Sequence, residues 1–173
     1  MNIDYSGMTV LVTGSSSGIG SAVAQAFAAS NGTVAVHYRT NEEGGKKTVN
    51  SLKGNGHLLI QGDISESKEA KRIVDEIVAQ TGRIDIVVNN AALIEQFDFD
   101  QLSYEEWTSI WERTLAVNLL GHTNVTFCAI QQMKQLGGGR FVNISSRGAF
   151  RGEPTAPAYG ASKAGINAFG QSM

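Results

Sequence analysis

The stretch Thr9-Val10-Leu11-Val12-Thr13-Gly14-Ser15-Ser16-Ser17-Gly18-Ile19-Gly20 decides how the chain is read. A short β-branched apolar run gives way to a glycine-rich turn, and an Ala-rich helical stretch follows from Ser21 to Ser30. The order is therefore strand, turn, helix. Glycines let a backbone turn tightly and approach a ligand closely, and the helix behind them aims its unsatisfied N–H groups and positive dipole end at the turn. An anion such as a pyrophosphate suits that place, with Gly14, Ser16, Ser17, Gly18, Ile19 and Gly20 as its candidate contacts. The alternative, a plain β-to-α connection with a capping glycine, is weakened by the correctly placed strand and helix on either side.

Outward from this stretch, Gly32 is a helix stop and Thr33 to Tyr38 a second strand, so the first unit is β-α-β with parallel strands. In dinucleotide-binding units an acidic residue about 20 positions past the glycines holds the ribose diol, whereas an Arg there accommodates a 2′-phosphate. This sequence has His37-Tyr38-Arg39-Thr40, with Glu42 and Glu43 displaced downstream. Arg39 thus favours NADP(H) over NAD(H), against the alternative of a solvated loop charge.

The pattern then repeats: a helix over Glu42 to Leu52, a strand over His57 to Gln61, a helix over Ser65 to Gln80 and a strand over Ile84 to Asn89. Such alternation predicts an α/β fold whose parallel sheet is covered by helices on both faces. Asp63, just beyond the third strand and followed by Ile64, either reaches an adenine or serves as a loop acid or helix cap. Asn89 and Asn90, ahead of Ala91 and Ala92, either tie neighbouring strands through their amides or shape a turn.

Ser103-Tyr104-Glu105-Glu106 has the form of a capping box and opens one long helix to about Leu136. Trp107 and Trp111 are at helical spacing and read as packing groups, and Asn118, amid Val117, Leu119 and Leu120, is a polar amide that needs a partner. Gly137 to Gly139 end the helix, and Arg140 to Ile144 form a fifth strand running into Ser145 and Ser146. Its carboxyl end should face the same crevice as the glycine turn. Tyr159 and Lys163, four apart, are neighbours on a helix. An ammonium held close favours the ionised phenol, so the pair can act as a general acid and base; a helical surface pair is the ordinary alternative.

Composition sets the limits. A chain of 173 residues without repeats or a linker-like shift reads as one domain, 1–173. A net charge of -2 gives no basic surface that calls for nucleic acid and points to a small-molecule partner. With Cys128 alone, and His37, His57 and His122 far apart, neither a disulfide framework nor a Cys/His metal site has ligands. Neither a leader at Met1 to Met8 nor a membrane span of ~20 apolar residues is legible, so the expectation is a cytoplasmic protein without a membrane partner.

The segments Thr13 to Gly20, Asn89-Asn90-Ala91-Ala92, Asn118, Ser146 and Tyr159 to Lys163, in this order and spacing, resemble the short-chain dehydrogenase/reductase family across essentially the whole chain. His37 to Glu43 and the Ser-to-Tyr segment are most similar to its 3-oxoacyl-(acyl carrier protein) reductase and glucose dehydrogenase members. The resemblance implies a Rossmann-type doubly wound sheet and interconversion of a carbonyl and a secondary alcohol. It implies Tyr159 as the proton donor or acceptor, Lys163 beside it and on the nicotinamide ribose, and Ser146 on the carbonyl oxygen. It further implies Asn118 holding a water that connects Lys163 to solvent, and Asn90 and Ala91 alongside the cofactor. Ala92 departs from the family's usual Gly and is tolerable where the backbone avoids positive φ. The chain ends at Met173, ten residues after Lys163, where family members continue into further strands. The resemblance therefore implies a domain incomplete at its C-terminus, lacking the family's last strands, with a homo-oligomer (dimer or tetramer) expected of the full domain. A dinucleotide-binding or scaffolding protein without turnover is the alternative.

Overall fold

Thr9–Val12 forms the central strand β1, and all four residues are buried because helices cover both its faces. The structure is a computed structural model and describes residues 3–173. In chain order β1 is followed by α1 (Gly18–Ala29), β2 (Thr33–Tyr38), α2 (Glu42–Ser51), β3 (Leu58–Gln61), α3 (Ser67–Thr81) and β4 (Ile86–Asn89). Then come α4 (Tyr104–Leu115), a π-helical stretch over Ala116–Gly121, α5 (His122–Met133), β5 (Arg140–Asn143), the short α6 (Gly148–Arg151) and α7 (Pro157–Ser172).

The five strands are parallel and ordered β3-β2-β1-β4-β5. The chain moves outward in one direction from β1 to β3 and then returns to build the other side, so the order reverses between β1 and β4. Loops leaving the carboxyl ends of these two strands diverge there and open a crevice. The period of two along each strand sorts the core into two layers. Leu11, Ala35, Ile60 and Val87 face α3 and α5, where Ile73, Ile77, Val125 and Ala129 pack on them. Val10, Val12, Val34, Val36 and Val88 face α1 and α2, meeting Ala24, Ala28 and Val49.

Two elements differ from the sequence reading. The long helix expected from Ser103 to Leu136 does start at a capping box, with Ser103 and Glu106 bonding each other's backbone N–H groups. It is interrupted, however, by the π-helical stretch around Asn118. Gly121 packs so closely there that a Cβ would lie 2.8 Å from the Ile64 carbonyl oxygen, so contact with the loop after β3 accompanies the widened turn. The short α6, between β5 and α7, was not expected at all. As expected, Trp107 and Trp111 pack, with ring centroids 5.5 Å apart, beside Phe97 and Phe99. Among the described residues no helix is long and apolar enough to cross a membrane.

Candidate active site

The glycine turn is shaped by what it must touch. Gly14 has a φ of 64°, in the left-handed region, and a Cβ there would stand 2.8 Å from the Cα of Ala91. Gly20 lies so close to the turn that a Cβ would meet the Asn90 amide nitrogen at 2.5 Å. Asn90 Nδ2 donates to the carbonyls of Thr13 (2.8 Å) and Gly14 (3.1 Å). The Thr13 hydroxyl accepts the N–H groups of Asn90 and Ala91 at 2.9 and 3.0 Å. Asn89 Nδ2 donates to Asn143 Oδ1 (2.8 Å) and to Thr126 Oγ1 (3.0 Å). Both asparagines therefore tie strand ends together, the first of the two readings open from sequence. Ala92 is not among the residues with positive φ, which removes the objection to a methyl at that position.

Helix α1 begins at Gly18, with Ser17 as an N-cap whose side chain makes no capping bond. The N–H groups of its first turn have no intrahelical acceptors and stay available to an anion. A cleft of about 400 Å³ opens there. Gly14, Ser16, Ser17, Ile19, Gly20, Arg39, Asp63, Ile64, Asn90 and Ala91 all line it. Gly18 sits at the helix start just outside this lining. Among the other lining residues, His37, Gly62, Leu93 and Val117 went unread in the sequence as parts of a site.

At one end of the cleft the Arg39 guanidinium lies 3.7 Å from the Asp63 carboxylate, with the Arg39 side chain 52% exposed. An exposed pair at this distance is weak, so the guanidinium can turn to another anion at little cost. Asp63 Oδ1 accepts both the N–H (2.9 Å) and the hydroxyl (2.6 Å) of Ser65, the loop-acid role left open above. Burial opposes ionisation of Asp63, yet the Ser65 bonds together with the Arg39 charge hold its carboxyl below the usual range.

The second half of the site is carried by α7, which starts with Pro157, a residue preorganised for a first helical turn. Lys163 is 1% exposed, and its Nζ donates to the Ile144 carbonyl at 2.7 Å. That carbonyl immediately precedes Ser145 and Ser146, so the ammonium fastens the helix to the end of β5. Its Nζ lies 5.8 Å from the centroid of the half-buried Tyr159 ring, and burial pushes its pKa down to about 8. The two serines differ: Ser146 Oγ accepts the Gly148 N–H at 3.1 Å, while the buried Ser145 hydroxyl has no partner.

Asn118 is fully buried, and its amide is spent on protein groups. Its Oδ1 accepts the Leu93 N–H (2.7 Å), and Nδ2 donates to the Leu93 carbonyl (2.8 Å) and to Ser162 Oγ (3.1 Å). Ser162 in turn donates to the Tyr159 carbonyl at 2.7 Å. A polar side chain inside this helix thus has a structural reason, and the water expected to explain it is not needed for that purpose. Through Leu93, which lines the cleft, Asn118 joins the cleft wall to the Tyr159 helix. None of Asn118, Ser146, Tyr159 and Lys163 lines the glycine cleft itself; they stand beside it. His122, another buried residue unread from sequence, has its pKa pushed down to about 3 by burial and then by the Lys163 charge.

A sequence model of the family described as short chain dehydrogenase matches residues 8–173. The chain belongs to this family. It is 37% identical over 166 residues to an uncharacterized oxidoreductase of Thermotoga maritima, covering 95% of this chain and 63% of that protein. It is 32% identical over 160 residues to the 3-oxoacyl-(acyl carrier protein) reductase of Staphylococcus aureus (strain Mu50), covering 91% of this chain and 63% of that one. The crystal structure of a candidate short-chain alcohol dehydrogenase from Sinorhizobium meliloti 1021 superposes with a TM-score of 0.88 at 30% identity, covering 99% of this chain and 67% of that one. The chain therefore spans about 63% of the length of those curated relatives.

Proposed function

We propose that the chain carries the cofactor-binding and proton-handling machinery of an NADP(H)-dependent oxidoreductase that interconverts a carbonyl and a secondary alcohol. The observation that carries this reading is the buried Lys163, held by the Ile144 carbonyl and 5.8 Å from the Tyr159 ring on a helix beside the glycine cleft. The cleft fits a dinucleotide, because the uncapped first turn of α1 offers N–H donors to a pyrophosphate. When bound, the nicotinamide supplies or accepts the hydride.

Tyr159 then gives its phenolic proton to the carbonyl oxygen as charge develops there, and takes the hydroxyl proton in the reverse direction. Lys163 places a positive charge 5.8 Å from the centre of the Tyr159 ring, on the side of the helix where the proton moves. Ser146, whose Oγ accepts the Gly148 N–H, keeps its own O–H to donate to the carbonyl oxygen. Asn118 holds the Tyr159 helix against the loop after β4. Arg39 reads the 2′-phosphate at the end of the cleft, which Asp63 shares. Assembly as a homo-oligomer belongs to the same reading, supported by Leu120 and Phe127, 54% and 65% exposed and two helical turns apart.

The test is NADPH oxidation followed at 340 nm (roughly the reduced-nicotinamide band) with a panel of ketones and 3-oxoacyl thioesters. Turnover with at least one of them supports the reading, and tight NADPH binding without turnover on any favours a dinucleotide-binding protein instead.

A further inference from the structure

His37, the next-to-last residue of β2, is 2% exposed and forms part of the cleft wall. Its Nδ1 faces the Gly14 N–H at 3.1 Å, and its Nε2 faces the Gly62 carbonyl at 3.0 Å. The partners fix the tautomer. A backbone N–H can only donate, so Nδ1 must be the bare nitrogen, and a carbonyl can only accept, so Nε2 must carry the hydrogen. The same residue is bound through its main chain as well. Its N–H donates to Ser15 Oγ at 3.0 Å, and its carbonyl accepts the Ser15 N–H at 2.9 Å.

These four bonds join, through His37, two segments that are far apart in sequence: the Gly14–Ser15 turn, and the loop of Gly62, Asp63 and Ile64 that also lines the cleft. A carboxylate, a hydroxyl or an apolar ring in place of the imidazole would not donate and accept at both ends over this span. The charged neighbours are Asp63 and Arg72, which act on the ring in opposite directions, and burial keeps it neutral, with its pKa pushed down to about 4.

We propose that His37 is a positioning residue for the adenosine and pyrophosphate half of the cofactor: its imidazole sets the distance between the glycine turn and the Gly62–Ile64 loop. This rests on the dinucleotide reading above but does not depend on the chemistry at Tyr159. The bond from Gly14 to His37 also accounts for one N–H of the turn, leaving anion binding to the donors further along, at the start of α1. The role predicts graded losses. His37→Phe keeps the bulk and loses both ring bonds, His37→Asn retains an acceptor near the Nδ1 position, and His37→Gln retains a donor near the Nε2 position.

The experiment is calorimetric titration of wild type and the three variants with NADPH, with 2′,5′-ADP as the adenosine-half probe and with reduced nicotinamide mononucleotide as the other half. For His37→Phe the dissociation constants for NADPH and 2′,5′-ADP should rise about 10–100-fold, and for the Asn and Gln variants each about 3–10-fold. Affinity for the mononucleotide should stay at the wild-type value. Equal weakening of both half-probes, or an unchanged constant for 2′,5′-ADP in any folded variant, would overturn the proposal. Should His37→Phe fail to fold, the Asn and Gln variants decide the matter by the same comparison. Absence of NADPH binding by the wild type would instead overturn the dinucleotide reading, and the positioning role with it.

Discussion

Asn118 and Leu93 grip each other through two hydrogen bonds, the Leu93 N–H to Asn118 Oδ1 at 2.7 Å and Asn118 Nδ2 to the Leu93 carbonyl at 2.8 Å. The amide thereby acts as a strand partner for a segment that has left the sheet. Asn118→Leu fills similar space but strands the Leu93 backbone donor and acceptor, while the Ser162 hydroxyl loses one incoming bond and keeps its own to the Tyr159 carbonyl. With about 1–3 kcal/mol for each unsatisfied buried group and partial relaxation, we expect roughly 2–4 kcal/mol of lost stability. Urea denaturation measures this directly. A loss near zero would mean that the clamp does not hold in solution.

Gly14→Ala should damage the cleft more than its size suggests. The added methyl would sit in a left-handed backbone position and 2.8 Å from the Ala91 Cα. Since Ala91 is on backbone that cannot swing aside as a flexible side chain would, the turn must open. NADPH affinity should fall at least about tenfold, the size of effect that about 1.4 kcal/mol of strain produces, as read by nucleotide fluorescence. Binding as tight as wild type would contradict the close approach.

Arg39→Ala should weaken NADPH about 10–100-fold, the range expected for one charge-assisted hydrogen bond, and leave NADH almost unaffected. Parallel titrations with the two nucleotides make the comparison. Equal weakening of both would remove Arg39 from the 2′-phosphate and leave it as the partner of Asp63.

Three buried bases should make stability depend on pH in two separate windows. His37 has its pKa lowered from 6.5 to about 4, so the unfolded chain takes up a proton that the fold resists, and stability is lost as pH falls from 6.5 towards 4. His122, lowered to about 3, adds to the same limb. Lys163 is lowered from 10.5 to about 8, so its buried charge destabilises the fold below pH 8, and stability rises with pH between 8 and 10.5. Urea midpoints across pH should show a flatter acid limb in His37→Gln and a flatter alkaline rise in Lys163→Met. Curves parallel to the wild type in both variants would contradict these assignments.

The parts of this fold that local sequence determines were the parts legible in it. Thr9 to Ser30 carries its strand, turn and helix in consecutive residues, and the alternation of strands and helices up to Asn89 is enough to require a parallel sheet. The π-helical stretch was not legible, because Val117, Leu119 and Leu120 satisfy an ordinary helical period, and the distinguishing contact is Gly121 against the distant Ile64 carbonyl. His37 escaped for a similar reason. In sequence it is one residue of an apolar strand, and its role depends on Gly14 and Gly62, 23 and 25 residues away. Asn118 was recognised as needing a partner, but Leu93 and Ser162 could not be named before the chain was folded. The proline ahead of Tyr159 and the Ala-Pro-Ala spacing could have fixed the start of α7; the short α6 before it has no comparable signal.

We propose that Tyr159 moves the proton while the neighbouring glycine cleft holds the cofactor. Single-turnover oxidation of bound NADPH by a reducible ketone, compared between wild type and Tyr159→Phe at matched nucleotide occupancy, tests it most directly. The account predicts a rate lower by about 10²–10⁴-fold in the variant, with the NADPH dissociation constant unchanged. A Tyr159→Phe protein that reduces the ketone at the wild-type rate would contradict it.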